Sequence, residues 1–451
     1  MYTATYGNAV SLLLRQAVEK PEHVAIVCPL EWKDGKVVRS SQTTFGLLTQ
    51  RAGELAQGLE KWRFRPRERV ILSFPVSVEL YAMMIALFSR GQSVVYLDPE
   101  MGAEKVSRAI KNARARAIIG TDTLLRTRFL RTSLWGLRKF SVDSSGLFLQ
   151  PFSSLWGCYR GWPEVLPMKT EDLALVTFSP GNTGDPKGVE RSHAVLIAQH
   201  QALREELGHR GDDVEMTFFP MSVFHILCSG ITAVLPALTF PRSSSPDGGL
   251  LVSQLLENQV TRLSASPVYL EPIVLQLERF PQRLPALRQV IAAGAPMPRQ
   301  LCERLLRVFP GVDCRVLYRS SEAEPICHVR MEEIVSARGE GVLVGTPGRA
   351  TALAVVNLPD PLPTFDSNGF WPYLTKPGES GEIFVSGPHV TRSYFCNPAA
   401  DRHSKLRLPD NSNWHRTGDV GRLDDRGRLW LTGLSNGVRR RPEKPNAGDK
   451  P

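Results

Sequence analysis

The chain has 451 residues, 42% of them hydrophobic and 22% charged. That balance is ordinary for a globular protein and excludes global disorder; at about 150 residues per domain, the length suggests roughly three lobes. Lys and Arg outnumber Asp and Glu by 55 to 45, a net charge of +10, which suits phosphate-rich ligands as well as anionic surfaces. No nucleic-acid module is recognisable, and the basic runs Arg114–Arg138 and Arg439–Lys444 read as solvated faces. No window reaches about 18 apolar residues, and the N-terminus lacks the regions of a signal peptide, so a cytoplasmic protein without a membrane span is expected. Seven scattered cysteines form no Cys-x-x-Cys pair and read as reduced core or loop residues.

In chain order, Asn8 caps an expected helix over Ser11–Glu19 that Pro21 stops. Val24–Val27 reads as a short buried strand, and Thr44 caps a helix over Phe45–Leu59. Arg69–Phe74 and Ser93–Leu97 read as strands on either side of a helix over Ser77–Arg90. Strands alternating with helices of this length predict a largely parallel α/β sheet. Residues 121–168 read as a long surface excursion. Leu173–Phe178 is an apolar strand entering a Gly-rich loop, followed by a helix from about Ser192 to Leu207. Pro241–Gly249 reads as a loop. A second α/β cycle runs through Arg288–Ala292 and Val316–Tyr318. After Gly341, short strands with many Gly and Pro predict a β-rich lobe up to about Thr432, and Arg439–Pro451 reads as a polar, disordered tail.

The strongest chemical signal is Ser179-Pro180-Gly181-Asn182-Thr183-Gly184-Asp185-Pro186-Lys187-Gly188-Val189. Its glycines let backbone N–H groups approach phosphate oxygens, and Ser, Asn, Thr and Lys side chains add donors and charge. It is not the P-loop of the NTPases, because Pro186 precedes the lysine and Gly188 follows it. The plain alternative is a Gly-rich turn.

This segment resembles the phosphate loop of the ANL superfamily of adenylate-forming enzymes, in which Pro180 and Asn182 replace hydroxyl residues. Further segments resemble that family in order: Val94–Pro99; Phe219-Pro220 with Phe224-His225; Gly294-Ala295-Pro296; Tyr318-Arg319-Ser320-Ser321-Glu322; Gly381–Ile383 through Gly387-Pro388 and Tyr394; and Arg416-Thr417-Gly418-Asp419. The resemblance spans about residues 44–433. Asp98–Gly102, the Glu332 to Gly345 stretch and Trp414–Asp419 look most like the β-lactone synthetases of bacterial olefin biosynthesis.

The resemblance implies an α/β fold, the large N-terminal domain of adenylate-forming enzymes, with two α/β sheet subdomains plus a smaller β-rich lobe. The expected adenylation domain is 1–432, divided roughly into 1–170, 171–340 and 341–432, with a hinge remnant and tail at 433–451. ATP and Mg²⁺ are the implied cofactors. Lys187 and Glu322 are the implied catalytic groups, with His225 bordering the acyl group; a satisfied core histidine is the alternative for His225. The implied nucleotide-binding residues are Ser179, Gly181, Asn182, Thr183, Gly184, Gly294, Ala295, Pro296, Tyr318, Ser321 and Asp419. Tyr318 would stack on adenine, Asp419 would accept from the ribose hydroxyls, and Thr183 and Glu322 would serve the metal. A hard cation such as Mg²⁺ favours that oxygen set. Arg319 replaces a family glycine and either obstructs the nucleotide or pairs with a phosphate.

Where the family carries a hinge and a further domain of about 100 residues, this chain reads Gly433-Leu434-Ser435-Asn436 and ends soon after. Losing one preorganised electrostatic stabiliser costs roughly 10²–10³ in rate. Two functions therefore stand beside each other. One is ATP-dependent activation of a fatty or β-hydroxy acid as an acyl-adenylate leading to a β-lactone or thioester, with a separate C-terminal-type domain or pathway enzymes as further partners. The other is a catalytically impaired nucleotide- or acyl-binding homologue.

Overall fold

The computed structural model describes residues 7–99, 101–126, 132–146, 149–158, 161–179, 186–238, 246–359 and 369–434. Among the described residues the strands form two sheets. One has seven strands in the order Gln150–Pro151, Arg138–Ser141, Ala117–Gly120, Arg69–Ser73, Ser93–Tyr96, Leu173–Ser179, Lys187–Ser192. All its pairings are parallel except the last, in which Lys187–Ser192 folds back antiparallel on Leu173–Ser179. The other has fourteen strands. Its centre, Val214–Thr217, Arg262–Ala265, Gln289–Ala293 and Asp313–Tyr318, is parallel. Its far end is an antiparallel lobe built from Val342–Pro347, Ala352–Val356, Gly381–Ser386, Asn413–Leu423 and Leu429–Leu434.

The sheets interleave across residue 170. Val24–Lys33 joins the central sheet beside Thr232–Val234, whereas Leu173–Ser179 completes the seven-stranded one. The N-terminal strand continues past Val27 into a hairpin with Lys36–Thr44, because Leu30 and Trp32 extend the β-favouring pattern across Pro29. One core joins the two sheets through the helices Val10–Glu19, Phe45–Lys61 and Val78–Ser89. The last of these is buried at every residue except Glu79, as expected of a helix that is otherwise apolar on every face.

Side-chain caps start the helices where short polar residues stand. Thr44, Ser77 and Ser192 accept from Leu47, Leu80 and Val195 N–H, meeting donors that have no intrahelical partner. Asn8 accepts from Val10 N–H and donates to the Phe88 carbonyl, tying two helices together.

Residues 121–168 are not a surface excursion throughout. Leu134, Phe140, Leu149, Phe152 and Leu155 are buried, and Arg138–Ser141 and Gln150–Pro151 extend the seven-stranded sheet. Phe140 packs edge-on against Trp62 with ring centroids 5.1 Å apart, so aromatic burial holds a segment whose Arg and Ser content suggested solvent. The Pro241–Gly249 loop ends in a helix, Gly248–Glu257, capped by Asp247; residues 241–245 lie outside the described residues, as does Arg439–Pro451.

Candidate active site

Ligands in open α/β sheets gather at the carboxyl ends of parallel strands. Gly294 and Arg319 directly follow two such ends, Ala293 and Tyr318, and Phe219 lies two residues past a third, Thr217. The Arg319 guanidinium lies 4.3 Å from the Phe219 ring centroid and donates to Glu324 at 2.8 Å. Gly294 has φ +84°, and a Cβ there would come within 3.2 Å of the Phe219 ring, so a side chain is disfavoured on two grounds. Gly294, Ala295 and Pro296 are exposed on this rim. Arg319 is thus tied to Glu324 and Phe219 from inside the chain, one residue after the tyrosine at the strand end.

The turn after Tyr318 is fixed by Ser320, whose hydroxyl accepts from the N–H groups of Glu322 and Ala323. Arg191 is buried and donates to the Ser321 carbonyl at 2.5 Å and to the Thr177 hydroxyl at 2.8 Å. This leaves the Ser321 side chain without a hydrogen-bond partner among the described residues. Thr391 N–H donates to the Glu322 carbonyl at 2.8 Å, which brings the Val390–Tyr394 segment alongside.

Two hydrogen bonds join groups far apart in sequence. The Tyr394 hydroxyl donates to Glu322 Oε1 at 2.6 Å, and the Tyr318 hydroxyl donates to Asp419 Oδ2 at 2.5 Å. Each leaves one carboxylate oxygen with no hydrogen bond from the described side chains. Lys187 reaches the same cluster, because Val189 bridges Tyr394 and Gly188 accepts from Phe395 N–H. Its Nζ lies 5.5 Å from the Tyr394 ring centroid, and that of Lys405 lies 5.3 Å away. A Cβ on Gly188 would come within 3.2 Å of both Phe178 and Phe395, so a side chain there would have to push these two residues aside by a few tenths of an ångström.

The electrostatics separate the two ends. Burial opposes ionisation of Glu322, but His415, the Tyr394 hydroxyl and Lys405 outweigh it and hold the carboxyl below its usual range. His415 is itself pushed to about 3 by burial and by Lys405, so near neutral pH the hydroxyl and the ammonium are what act on Glu322. Asp419 is shifted upward by burial and by Glu322, against the donation from Tyr318. Arg416 is not a ligand group: it clamps Glu382 with two bonds of 3.0 and 2.6 Å.

His225 is placed elsewhere. It is buried, its Nδ1 is 2.9 Å from His200 Nδ1, and its ring lies 4.8 Å from that of His209. No hydrogen bond, ion pair or ring contact joins it to the Glu322 cluster among the described residues. His209 in turn lies 3.4 Å from Glu215, which is bonded to Arg262 and Ser264. Ser179 ends the strand paired with Lys187. Gly181, Asn182, Thr183 and Gly184, with Pro180 and Asp185, lie outside the described residues.

Sequence reasoning named Tyr394 and His415 only as parts of motifs and missed Lys405. A lone lysine in Ser404-Lys405-Leu406 gives no local signal; only pairing of Lys405–Arg407 with Asn413–Leu423 brings it to the site. An apolar cavity of about 290 Å³ adjoins the rim, lined by Cys28, Trp32, Val76, Phe218, Val223 and Leu235 among others. It shares the turn Thr217–Pro220 with Phe219. Among the described residues no group of three or more His, Cys, Asp or Glu side chains could hold a metal by itself, and no helix is long and apolar enough to cross a membrane.

The family model for AMP-binding enzymes matches residues 13–395. An olefin β-lactone synthetase of Stenotrophomonas maltophilia is 28% identical over 444 residues, covering 94% of this chain and 79% of that one. A feruloyl-CoA synthase of Amycolatopsis is 26% identical over 388 residues, covering 85% and 72%. Among solved structures, a long-chain-fatty-acid-CoA ligase of Archaeoglobus fulgidus superposes with a TM-score of 0.78 at 20% identity, covering 95% of this chain and 84% of that one.

Proposed function

The chain belongs to the AMP-binding enzymes, whose matched relatives are AMP-forming acid ligases, and on that premise we propose that it activates a β-hydroxy fatty acid as the acyl-adenylate and closes it to a β-lactone. A carboxylate oxygen of the acid attacks the α-phosphorus of ATP, and the bond to the β-phosphate breaks to release pyrophosphate. The β-hydroxyl oxygen then attacks the activated carbonyl carbon, the bond to AMP breaks, and the hydroxyl proton passes to solvent. An internal nucleophile is at high effective molarity, so the second step needs no thiol acceptor.

The observation that carries this reading is the convergence of two tyrosine–carboxylate pairs, Tyr318–Asp419 and Tyr394–Glu322, whose carboxylates are close enough to repel each other. Tyr318–Asp419 supplies an aromatic face and a free carboxylate oxygen, the requirements of an adenine and a ribose diol. Glu322, with one oxygen held by Tyr394 and the other free, fits a Mg²⁺ ion that takes most of its ligands from phosphates and water. Such an ion supplies charge neutralisation at the phosphate oxygens. Lys187 faces the same end as a point charge, and the resemblance to the family's phosphate loop assigns Thr183 and the glycines of its loop to the phosphates. The cavity beside Phe219 is assigned to the alkyl part of the acid. Its volume lies near the lower end of small-ligand pockets, about 300–1,000 Å³, and its lining is apolar.

One observation favours the impaired alternative. Arg319 is held over Phe219 on the rim where the adenylate would form, so it narrows the space between the nucleotide and acyl ends. The test is acid-dependent pyrophosphate release from Mg²⁺–ATP, with β-hydroxy and unsubstituted fatty acids, on the chain and on Glu322→Gln. Release that needs the acid and drops about 10²-fold or more in the variant supports activation. Nucleotide binding without release supports the impaired reading, and a β-lactone product separates the β-hydroxy acid from the other acids.

A further inference from the structure

The Tyr394 ring has two ammonium groups over it, and only one belongs to the phosphate-loop motif. Lys405 begins the short strand Lys405–Arg407 and is half-buried. Its Nζ donates to the Thr391 carbonyl at 2.6 Å and to the Thr391 hydroxyl at 3.0 Å. An ammonium has three donors, and the third has no hydrogen-bond acceptor among the described residues. No ion pair involves Lys405 among them either, although Glu322, Asp401 and Glu190 are close enough to favour its charge. Neutral acceptors do not offset the desolvation of an ammonium, and burial draws this one down to about 8. A lysine kept there for packing alone would be a poor solution, since an apolar side chain of the same length avoids the penalty.

The surroundings say what the third donor faces. Thr391, which holds the ammonium, also holds the Glu322 backbone carbonyl, and Tyr394, which carries the ammonium on its ring, holds the Glu322 carboxylate. Lys187 arrives at the same ring from the adjoining strand. We propose that Lys405 is a second anion-binding lysine of this site, which with Lys187 flanks Tyr394 and takes an oxygen of the polyphosphate end of the nucleotide. The proposal rests on the adenylating reading above and adds to it a cation from the β-rich lobe. That lobe thereby contributes both to the adenosine end, through Asp419, and to the phosphate end.

The experiment is calorimetry on the full chain with two probes, inorganic pyrophosphate plus Mg²⁺ and AMP alone, for the unaltered protein, Lys405→Met and Lys405→Arg. Loss of one charge-assisted hydrogen bond predicts that Lys405→Met weakens pyrophosphate binding by about tenfold or more. AMP affinity stays within about twofold, and Lys405→Arg retains most of the pyrophosphate affinity. Equal pyrophosphate affinity in Lys405→Met and the unaltered chain overturns the proposal, as does parallel weakening of AMP. If Lys405→Met does not fold, amine acetylation of the unaltered chain followed by peptide mass analysis decides. Mg²⁺–pyrophosphate should protect Lys405 several-fold, and an unprotected Lys405 overturns the assignment. Should the unaltered chain bind neither probe, the adenylating reading falls and takes this one with it; binding of both with an indifferent Lys405 sinks the lysine alone.

Discussion

Replacing Tyr394 by Phe removes one oxygen atom from the site and little else. The ring is buried, so Phe keeps its packing, and an aromatic face remains beneath both lysine ammonium groups. What disappears is the 2.6 Å donation to Glu322 Oε1. A hydrogen bond to a charged group contributes about 1.5–3 kcal/mol, which is roughly ten- to hundredfold in an equilibrium or rate constant. The carboxylate then loses the group that fixes its orientation, and its proton affinity rises. The loss should fall on the Mg²⁺-dependent steps: the Mg²⁺ concentration for half-maximal pyrophosphate release increases by that factor, whereas AMP affinity, set at the Tyr318–Asp419 end, stays within about twofold. A double-mutant cycle sharpens the test. In Glu322→Gln, removal of the Tyr394 hydroxyl should add little, because the bond it made was to a charge no longer present. An unchanged Mg²⁺ requirement in Tyr394→Phe, or fully additive effects in the cycle, would refute the positioning role.

Other outcomes follow from particular contacts. Tyr318→Phe should weaken AMP about tenfold, by freeing a buried carboxylate, while leaving pyrophosphate binding unchanged; calorimetry with both probes reads this, and equal losses would contradict the division of the site. Val223→Trp should fill the apolar cavity and raise the KM for long-chain acids while sparing short ones, and a chain-length profile identical to that of the unaltered enzyme would remove the cavity from the acyl site. Arg262→Met removes the guanidinium bonded to the buried Glu215 and should cost about 3–5 kcal/mol in urea denaturation. Burial is the main cause holding His193 and His200 to about 4 and pushing His225 well below its ordinary value. Below pH 6.5 the unfolded chain takes up protons that the folded chain refuses, so stability should fall from pH 6.5 toward 4, by up to about 1.4 kcal/mol per pH unit for each such group. A flat urea midpoint over that window would show that these rings are open to protons.

What could be read from the residues alone was whatever is local in the chain. The helix starts at Phe45 and Val78 follow from a single Thr or Ser and the apolar spacing behind it. The Tyr318 to Glu322 and Arg416 to Asp419 segments carry their chemistry within four or five residues. What could not be read was pairing. Whether Val24–Lys33 joins the sheet of its own neighbours or that of strands some two hundred residues later depends on which apolar surfaces meet, and both choices bury the same Ile26 and Val27. His225 shows the same limit from the other side. Its segment placed a histidine after an apolar turn, but the ring's partners, His200 and His209, come from a helix and the turn following it, and they draw it into the interior. Lys405 is the converse case, a residue without a motif that a three-residue strand delivers to the Tyr394 ring. The residues carrying a signature thus lie at both ends of the site, and residues that carry none hold them in place from elsewhere in the chain: Thr391 on the Glu322 carbonyl and Arg191 on the Ser321 carbonyl. A substitution at Thr391 or Arg191 should disturb the site without touching a signature residue, whereas the Tyr394 hydroxyl acts on the Glu322 carboxylate directly, which is why it is the sharpest place to begin.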